Sequence, residues 1–252
     1  MAVVSLDNKR IVITGGARGL GRGFAEAALD SGARIVIADI LEDRGRQTAD
    51  ELSSRGDVSF VFLDLADPAS IEALALSAEQ MLGGVDGLVN CAAIATGIGG
   101  KMADEIDIET WDRVMTVNVR GTWLAVKAFS PALRKAGNGK IVNVASDTAM
   151  WGAPRLLHYV ASKGAVISMT RSLARELGSD GIAVNAIAPG LTRVEATEYV
   201  PEDRHRQYID GRAMNREQQP EDVNGAVMFL LSDASDFVTG QLLPVNGGFV
   251  FN

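Results

Sequence analysis

Tyr159 and Lys163 are the residues of this chain whose types and spacing point most directly to chemistry. They lie four residues apart in a segment whose apolar residues then recur every three or four positions, which is the spacing of a helix. Positions four apart share one helix face, so the phenol and the ammonium should lie side by side. A nearby cation lowers the pKa of a phenol from its usual value of about 10. The pair therefore predicts a tyrosine general acid/base.

Ser146 precedes this helix and follows an apolar run that we predict to be a strand. Its hydroxyl is placed to hold a substrate oxygen beside Tyr159. A tyrosine and a lysine on one helix face can equally be a solvated pair, and a serine at a strand end can equally cap a helix or form a turn. The elements around these residues must decide between the two interpretations.

A glycine-rich turn forms a second cluster. Gly15, Gly19 and Gly21 follow the apolar run 10–14 and precede a predicted helix at 24–31. In that context, Gly15 would make the tight turn and Gly21 would let the helix pack closely on the strand. The backbone could then approach a pyrophosphate, which the helix N-terminus attracts. The turn therefore predicts a dinucleotide site.

Asp39 bears on the choice of cofactor. It ends the second predicted strand, where a carboxylate accepts hydrogen bonds from a free ribose 2′-hydroxyl and repels a 2′-phosphate. Arg18, inside the glycine turn, favours NADP instead, because a guanidinium attracts the 2′-phosphate. We favour NAD over NADP, since Asp39 is expected beside the ribose and Arg18 can be solvated.

Composition and charge narrow the class of protein. The chain has 252 residues and a formal net charge of −8, which disfavours nucleic acid and anionic membranes as partners. The single cysteine, Cys91, excludes an internal disulfide, and two distant histidines give no pattern for a metal site. The N-terminus does not resemble a signal peptide, and no long uncharged apolar stretch is present. We expect a soluble cytoplasmic protein that uses no metal.

Strands alternate with helices along the whole chain. This rhythm predicts right-handed βαβ units and one three-layer, doubly wound parallel sheet, a Rossmann fold, over residues 1–252. Predicted helices span 42–54, 111–135 and 222–231, and another begins after the cap residue Asp67. The seven predicted strands are 10–14, 34–39, 58–63, 87–90, 140–145, 182–188 and 241–245.

The segment 191–219 is irregular and rich in charged residues. A loop this long is usually a functional lid or partly helical. Because it follows the sixth strand, it should lie at the carboxyl ends of the strands, where such sheets bind ligands. We predict a mobile substrate lid, with a plain surface excursion as the alternative. Several of its arginines could bind a carboxylate of the substrate, namely Arg193, Arg204, Arg206 and Arg212. A solvated charged loop explains these arginines as well.

Together these residues resemble the short-chain dehydrogenase/reductase family in its single-domain form. The resemblance runs from Lys9 to about Phe249 and includes the TGxxxGxG turn at 14–21, the YxxxK pair and the Pro189-Gly190 segment. Two residues depart from the family's NNAG motif at 90–93, namely Cys91 and Ala93. Neither change removes a catalytic group.

The resemblance implies a set of functional residues. The catalytic residues would be Asn118, Ser146, Tyr159 and Lys163. The residues that contact the cofactor would be Gly15, Arg18, Gly19, Leu20, Gly21, Asp39, Asp64, Leu65, Asn90, Tyr159, Lys163, Pro189, Gly190 and Thr192. Several of these have structural alternatives: Asn118 could bond within its helix, Asp64 could start a turn and Thr192 could bond its own loop.

The activity implied is reversible oxidation of a secondary alcohol to a ketone by NAD. Tyr159 would exchange the proton, Lys163 would lower its pKa, Ser146 would hold the substrate oxygen, and Asn118 would hold a water beside the lysine. Expected pocket walls are Thr148, Met150, Trp151 and 93–96. The alternatives are an NADP-dependent reductase of 3-ketoacyl-type ketones and a non-catalytic dinucleotide sensor. The family also implies a homotetramer, or a homodimer.

Overall fold

The strands of this chain are apolar runs that are buried on both faces, as parallel strands between two helical layers must be. A computed structural model describes residues 4–252. Its seven parallel strands form one sheet in the order β3-β2-β1-β4-β5-β6-β7. They are β1 Arg10–Thr14, β2 Arg34–Asp39, β3 Val58–Phe62, β4 Gly87–Asn90, β5 Gly139–Val144, β6 Ile182–Pro189 and β7 Leu242–Val245. The predicted seven-stranded parallel Rossmann sheet is confirmed, with strand ends within one residue of the expected ones.

Helices cover both faces of this sheet. They are α1 Gly19–Asp30, α2 Glu42–Leu52, α3 Pro68–Leu82, α4 Ile108–Met115, α5 Thr122–Ala136, α6 Thr148–Trp151, α7 Leu157–Leu177, α8 Glu202–Gly211 and α9 Glu221–Leu231. One core packs α3, α5 and α7 on the sheet, and a second core packs α1, α2 and α9 on the opposite face. This gives the three layers of a doubly wound fold.

Two of the predicted helices differ clearly from their expected limits. The first begins at Gly19, five residues earlier than expected, because the glycine turn itself supplies the first helical turn. The predicted helix 111–135 begins at Ile108, where Asp107 caps it by accepting a hydrogen bond from the Thr110 amide. It is also interrupted by a π-helical segment, Thr116–Gly121, between α4 and α5. π segments often mark functional sites, and this one carries Asn118.

The segment expected to be irregular, 191–219, is partly helical. It contains a 3₁₀ turn, Glu195–Thr197, and the helix α8. One face of α8 is buried, because Tyr208 and His205 point into the protein. The stretches on either side of α8, 191–201 and 212–219, contain no regular helix longer than one turn.

The strand order places a ligand crevice at one edge of the sheet. The chain crosses from β3 at one side to β4 on the far side of β1, so the connections diverge between β1 and β4. Such a switch point opens a crevice at the carboxyl ends of the strands. Within residues 4–252, no helix combines the length and apolar character that a membrane span needs.

Candidate active site

The carboxyl edge of the sheet brings the predicted catalytic residues together. Ser146 follows β5, and Tyr159 and Lys163 lie in the first turns of α7, which returns over the same edge. The Tyr159 phenol lies close enough to the Ser146 hydroxyl for the serine to lower the pKa of the phenol. Ser146 Oγ also accepts a hydrogen bond of 2.9 Å from the Thr148 hydroxyl. The serine and the tyrosine, 13 residues apart in sequence, are therefore partners in space.

Lys163 lies beneath the tyrosine ring. Its Nζ is 5.6 Å from the centroid of the Tyr159 ring. The ammonium is buried and donates a hydrogen bond of 2.7 Å to the Val144 carbonyl at the end of β5. The side-by-side placement expected from their spacing is confirmed.

The predicted effect of Lys163 on the tyrosine is not what the structure has. Burial raises the pKa of Tyr159 above its usual value, and the nearby Ser146 hydroxyl offsets part of that rise. Burial also lowers the pKa of Lys163 to about 8. Desolvation therefore sets the direction for this phenol, and the lowering expected from Lys163 is not found.

Asn118 connects the π-helical segment to two other elements. Its Oδ1 accepts a hydrogen bond of 2.7 Å from the Ile94 amide, and its Nδ2 donates to the Ile94 carbonyl at 3.1 Å. Nδ2 also donates to Ser162 Oγ at 3.1 Å, and Ser162 in turn donates to the Tyr159 carbonyl. Asn118 thus ties the loop after β4 to the turn of α7 that carries Tyr159 and Lys163.

The glycine turn fits a pyrophosphate. Gly15 adopts a φ of +73°, and a Cβ there would lie 2.7 Å from the Ala92 amide nitrogen. A Cβ on Gly21 would lie 2.1 Å from the Gly15 carbonyl oxygen, so the close packing expected of Gly21 is confirmed. Gly19, Leu20 and Gly21 form the first turn of α1, where unpaired amides attract anions. The bare backbone leaves the cradle that a dinucleotide needs.

Asp39 ends β2 beside this cradle. Its Oδ2 accepts a hydrogen bond of 3.1 Å from the Ala17 amide, and its Oδ1 accepts one of 3.0 Å from the Leu41 amide. The carboxylate is largely buried but keeps further lone pairs that can accept from a ribose hydroxyl. Arg18 is not simply solvated, because its Nη1 lies 3.8 Å from Glu195 Oε2 across the cleft.

The remaining predicted cofactor residues lie along the same edge but also serve the fold. Asp64 Oδ1 accepts a hydrogen bond from the Ala66 amide, and the Thr192 hydroxyl donates to the Gly190 carbonyl, as their structural alternatives anticipated. Asn90 Nδ2 donates to Asn143 on the neighbouring strand. Leu65 is buried under Gly121, and Pro189 ends β6, where its carbonyl accepts from the Asp147 amide.

Sequence analysis missed a buried polar cluster directly behind Ser146. Asp147 is fully buried, and its Oδ1 accepts a hydrogen bond of 2.9 Å from the Tyr208 hydroxyl of α8. Tyr208 in turn accepts from Trp151 Nε1 at 3.2 Å and stacks on Phe249 with ring centroids 4.3 Å apart. Asp147 Oδ2 has no hydrogen-bond partner among residues 4–252. Burial raises the pKa of Asp147 to about 7.

These contacts fix the second half of the predicted lid. Arg212 is buried and donates to the carbonyls of Leu191, Arg216 and Asn246, while Arg193 pairs with Glu217 and Glu202. Across the cleft, the Tyr199 hydroxyl bonds the Ala95 carbonyl, and the Thr96 hydroxyl bonds the Ala196 carbonyl. No sequence pattern indicated these partners, although the position of Asp147 beside Ser146 was visible.

Within residues 4–252, no cluster of three or more His, Cys, Asp or Glu side chains could hold a metal ion.

Known proteins match this chain along almost all of its length. The family model described as enoyl-(acyl carrier protein) reductase matches residues 15–250. The chain is 38% identical over 251 residues to 2-(S)-hydroxypropyl-CoM dehydrogenase 3 of Xanthobacter autotrophicus, covering 96% of this chain and 97% of the relative. It is 36% identical over 245 residues to a 3-alpha-(or 20-beta)-hydroxysteroid dehydrogenase of Mycobacterium bovis, covering 97% and 90%.

A solved structure extends the similarity to the backbone. A proposed NAD(P)-dependent gluconate 5-dehydrogenase of Beutenbergia cavernae, crystallised with NADP at low occupancy, superposes with a TM-score of 0.90. It is 34% identical and covers 98% of this chain and 99% of its own. The site geometry, the family model and these relatives agree. The chain belongs to the short-chain dehydrogenase/reductase family of oxidoreductases.

Proposed function

We propose that the protein reversibly oxidises a secondary alcohol to a ketone, with NAD as the hydride acceptor. The observation that carries this proposal is the placement of Tyr159 over the buried Lys163, with Ser146 after β5 at the same sheet edge that holds the glycine turn. The hydroxypropyl and hydroxysteroid dehydrogenases among the relatives support an alcohol as the substrate class.

Ser146 and Tyr159 share the substrate oxygen. The serine hydroxyl donates to it and stabilises charge that develops there, while Tyr159 removes the hydroxyl proton as a phenolate. Because burial raises the pKa of this phenol, the phenolate would need the positive charges of Lys163 and of an oxidised nicotinamide beside it. Bound NAD supplies the acceptor for the hydride that leaves the same carbon. Tyr159 remains partly exposed, so a substrate can reach it.

Lys163 and Asn118 support the tyrosine. Because the pKa of Lys163 is about 8, its ammonium holds a positive charge at neutral pH and can stabilise a neighbouring phenolate. Asn118 holds Ser162 and Ile94 in place and orders the path by which a proton passes, through water, from the lysine to solvent. It acts as a positioning residue for the two groups on α7.

NAD is favoured because Asp39 stands at the end of β2, where a 2′-phosphate would meet its charge. The alternative is reduction of a ketone by NADPH. It is favoured by the two arginines at the cleft, Arg18 and Arg44, and by the NADP in the Beutenbergia structure.

The proposal is tested by supplying the protein with secondary alcohols, polyols and hydroxy acids and following NADH or NADPH formation. We expect turnover with NAD. Replacing Tyr159 with Phe should lower kcat by at least about 100-fold, because the proton acceptor is lost. The affinity for NADH, measured by fluorescence titration, should stay within about twofold, since the ring and its packing are kept.

Three results would contradict this proposal. Unchanged turnover by Tyr159→Phe would refute the mechanism. Turnover with NADP but not NAD would replace the dehydrogenase assignment with the reductase one. Binding of NADH without turnover of any alcohol in the panel would favour a dinucleotide sensor on the same fold.

A further inference from the structure

Two arginines from separate elements converge on one carboxylate of the lid segment. Arg18 is the N-cap residue of α1, Arg44 lies in the first turn of α2, and Glu195 begins the 3₁₀ turn after β6. Arg44 Nη2 is 3.5 Å from Glu195 Oε1, and Arg18 Nη1 is 3.8 Å from Glu195 Oε2. Each arginine therefore addresses a different oxygen of the same side chain.

The two arginines lie on backbone segments to either side of Asp39, the carboxylate that we expect beside the cofactor ribose. Asp39 accepts from Ala17, the residue before Arg18, and from Leu41, the residue before α2. The Thr48 hydroxyl of α2 donates to the Ala17 carbonyl at 2.7 Å, which pins α2 to the glycine turn. Asp39 thus holds together the two backbone segments from which the guanidinium groups project. A 2′-phosphate at this place would meet two cations and two carboxylates.

Glu195 is held over this cleft by its neighbours. The side chain of Val194 packs 3.6 Å from the position that a Cβ on Gly19 would take. On the other side, Ala196 accepts from Thr96, and Tyr199 bonds Ala95. Because the chain on both sides of Glu195 is anchored across the cleft, its carboxylate stays within reach of both arginines.

We propose that Glu195 is a specificity-determining residue for the cofactor: it draws Arg18 and Arg44 away from a 2′-phosphate and adds a negative charge against it. This inference rests on the proposed function in that the dinucleotide lies in this cleft. Asp39 would then account for only part of the preference for NAD, and a lid residue about 150 positions later would supply the rest.

The physical reason is that the negative charge of Glu195 affects the binding of NADP and NAD to different extents. A phosphate group carries about two negative charges at neutral pH, whereas a ribose hydroxyl carries none. Removing the charge of Glu195 therefore frees two guanidinium groups for a phosphate and leaves the contacts of a hydroxyl nearly unchanged. The effect should fall on NADP and spare NAD.

The test is the binding of NADPH and NADH to Glu195→Gln, measured through the fluorescence of the reduced nicotinamide. We expect the Kd for NADPH to fall about tenfold and the Kd for NADH to change by less than about twofold. The matched control is Glu198→Gln, because Glu198 lines the same open cleft and, among residues 4–252, has neither arginine as an ion-pair partner. It should leave the ratio of the two dissociation constants within about twofold of the original.

Two further measurements separate this inference from general effects on the lid. Adding Arg18→Gln and Arg44→Gln to Glu195→Gln should remove the gain for NADPH, because the guanidinium groups are then absent. Higher salt should shrink the gain. An unchanged ratio of dissociation constants in Glu195→Gln, or an equal shift for both cofactors, would overturn the inference. Since these measurements need no alcohol, they succeed or fail independently of the proposed reaction.

Discussion

Burial decides the charge of Asp147, the residue that follows Ser146. Its carboxylate lies between the turn after β5 and α8, where it accepts a hydrogen bond from the Tyr208 hydroxyl. The positive charge of Arg212 also acts to lower its pKa. These partners favour the ionised form, but desolvation outweighs them and raises the pKa to about 7. Asp147 therefore changes charge near neutral pH, next to the serine that we propose holds the substrate oxygen.

The raised pKa of Asp147 makes a prediction about stability. Between the unfolded value of 3.8 and the folded value of about 7, the folded state binds a proton that the unfolded state has lost. The folded state therefore loses stability as pH rises through this window, and the loss is complete above it. In Asp147→Asn this loss is absent, while the amide oxygen can still accept from Tyr208. From about pH 5 to about pH 8, the variant should gain roughly 2 to 3 kcal/mol in unfolding free energy relative to the original protein.

Urea unfolding at the two pH values measures this difference. Parallel stability profiles for the two proteins would show that Asp147 does not titrate in this window.

At the scale of elements, two glycines of α1 differ in whether the surrounding structure leaves room for a side chain. Gly21 and Gly23 both lie in α1, two positions apart. A Cβ on Gly21 would lie 2.1 Å from the Gly15 carbonyl oxygen, closer than any real contact. A Cβ on Gly23 would meet Asn224 and Pro220 at 3.4 Å, an ordinary van der Waals distance. Only the first glycine is required by the packing of the helix on the turn.

Alanine substitutions at these two glycines should have opposite effects. Gly21→Ala should destabilise the protein by about 1 to 3 kcal/mol, because backbone must move, and should weaken NADH binding by displacing the cradle. Gly23→Ala should be neutral or stabilising by up to about 1 kcal/mol, because alanine is the better helix former. Thermal unfolding and NADH titration compare the two variants. Equal destabilisation would show that Gly23 is as constrained by its neighbours as Gly21.

At the scale of the whole molecule, several large apolar side chains remain exposed on the single chain. Phe237 is fully exposed, Phe251 is 76% exposed and Trp123 on α5 is 47% exposed. Phe237 and Phe251 flank β7, the edge strand of the sheet. Large exposed apolar side chains near the edge strand of a sheet are compatible with a subunit interface. They are consistent with the expectation that copies of this chain associate.

The family resemblance leads us to expect a homotetramer. Sedimentation velocity should therefore give a species of about four times the 26.6 kDa chain mass. A dimer would agree with the second oligomeric state that the resemblance implies. A monomer at micromolar concentration would contradict the expectation.

The sequence predicted the sheet well because its signals are local. A parallel strand buried on both faces is a short apolar run whatever its neighbours are, so all seven strands were found within one residue of their ends. The tight turn at Gly15 and the close packing at Gly21 follow from missing side chains, and the helical spacing of Tyr159 and Lys163 sets their shared face. The π-helical segment and α8 were missed, because tertiary packing determines both.

The amino-acid sequence by itself determined the fold, the family and the set of groups available for catalysis. Only the tertiary structure decided which distant side chains meet. Tyr208 lies 61 residues from Asp147, and Glu195 lies far along the chain from both Arg18 and Arg44. It also decided the direction of the tyrosine pKa, which spacing alone predicted wrongly. The physical reason is the same in each case: burial and long-range charge depend on the packing of every element around a group, and no local pattern encodes that packing.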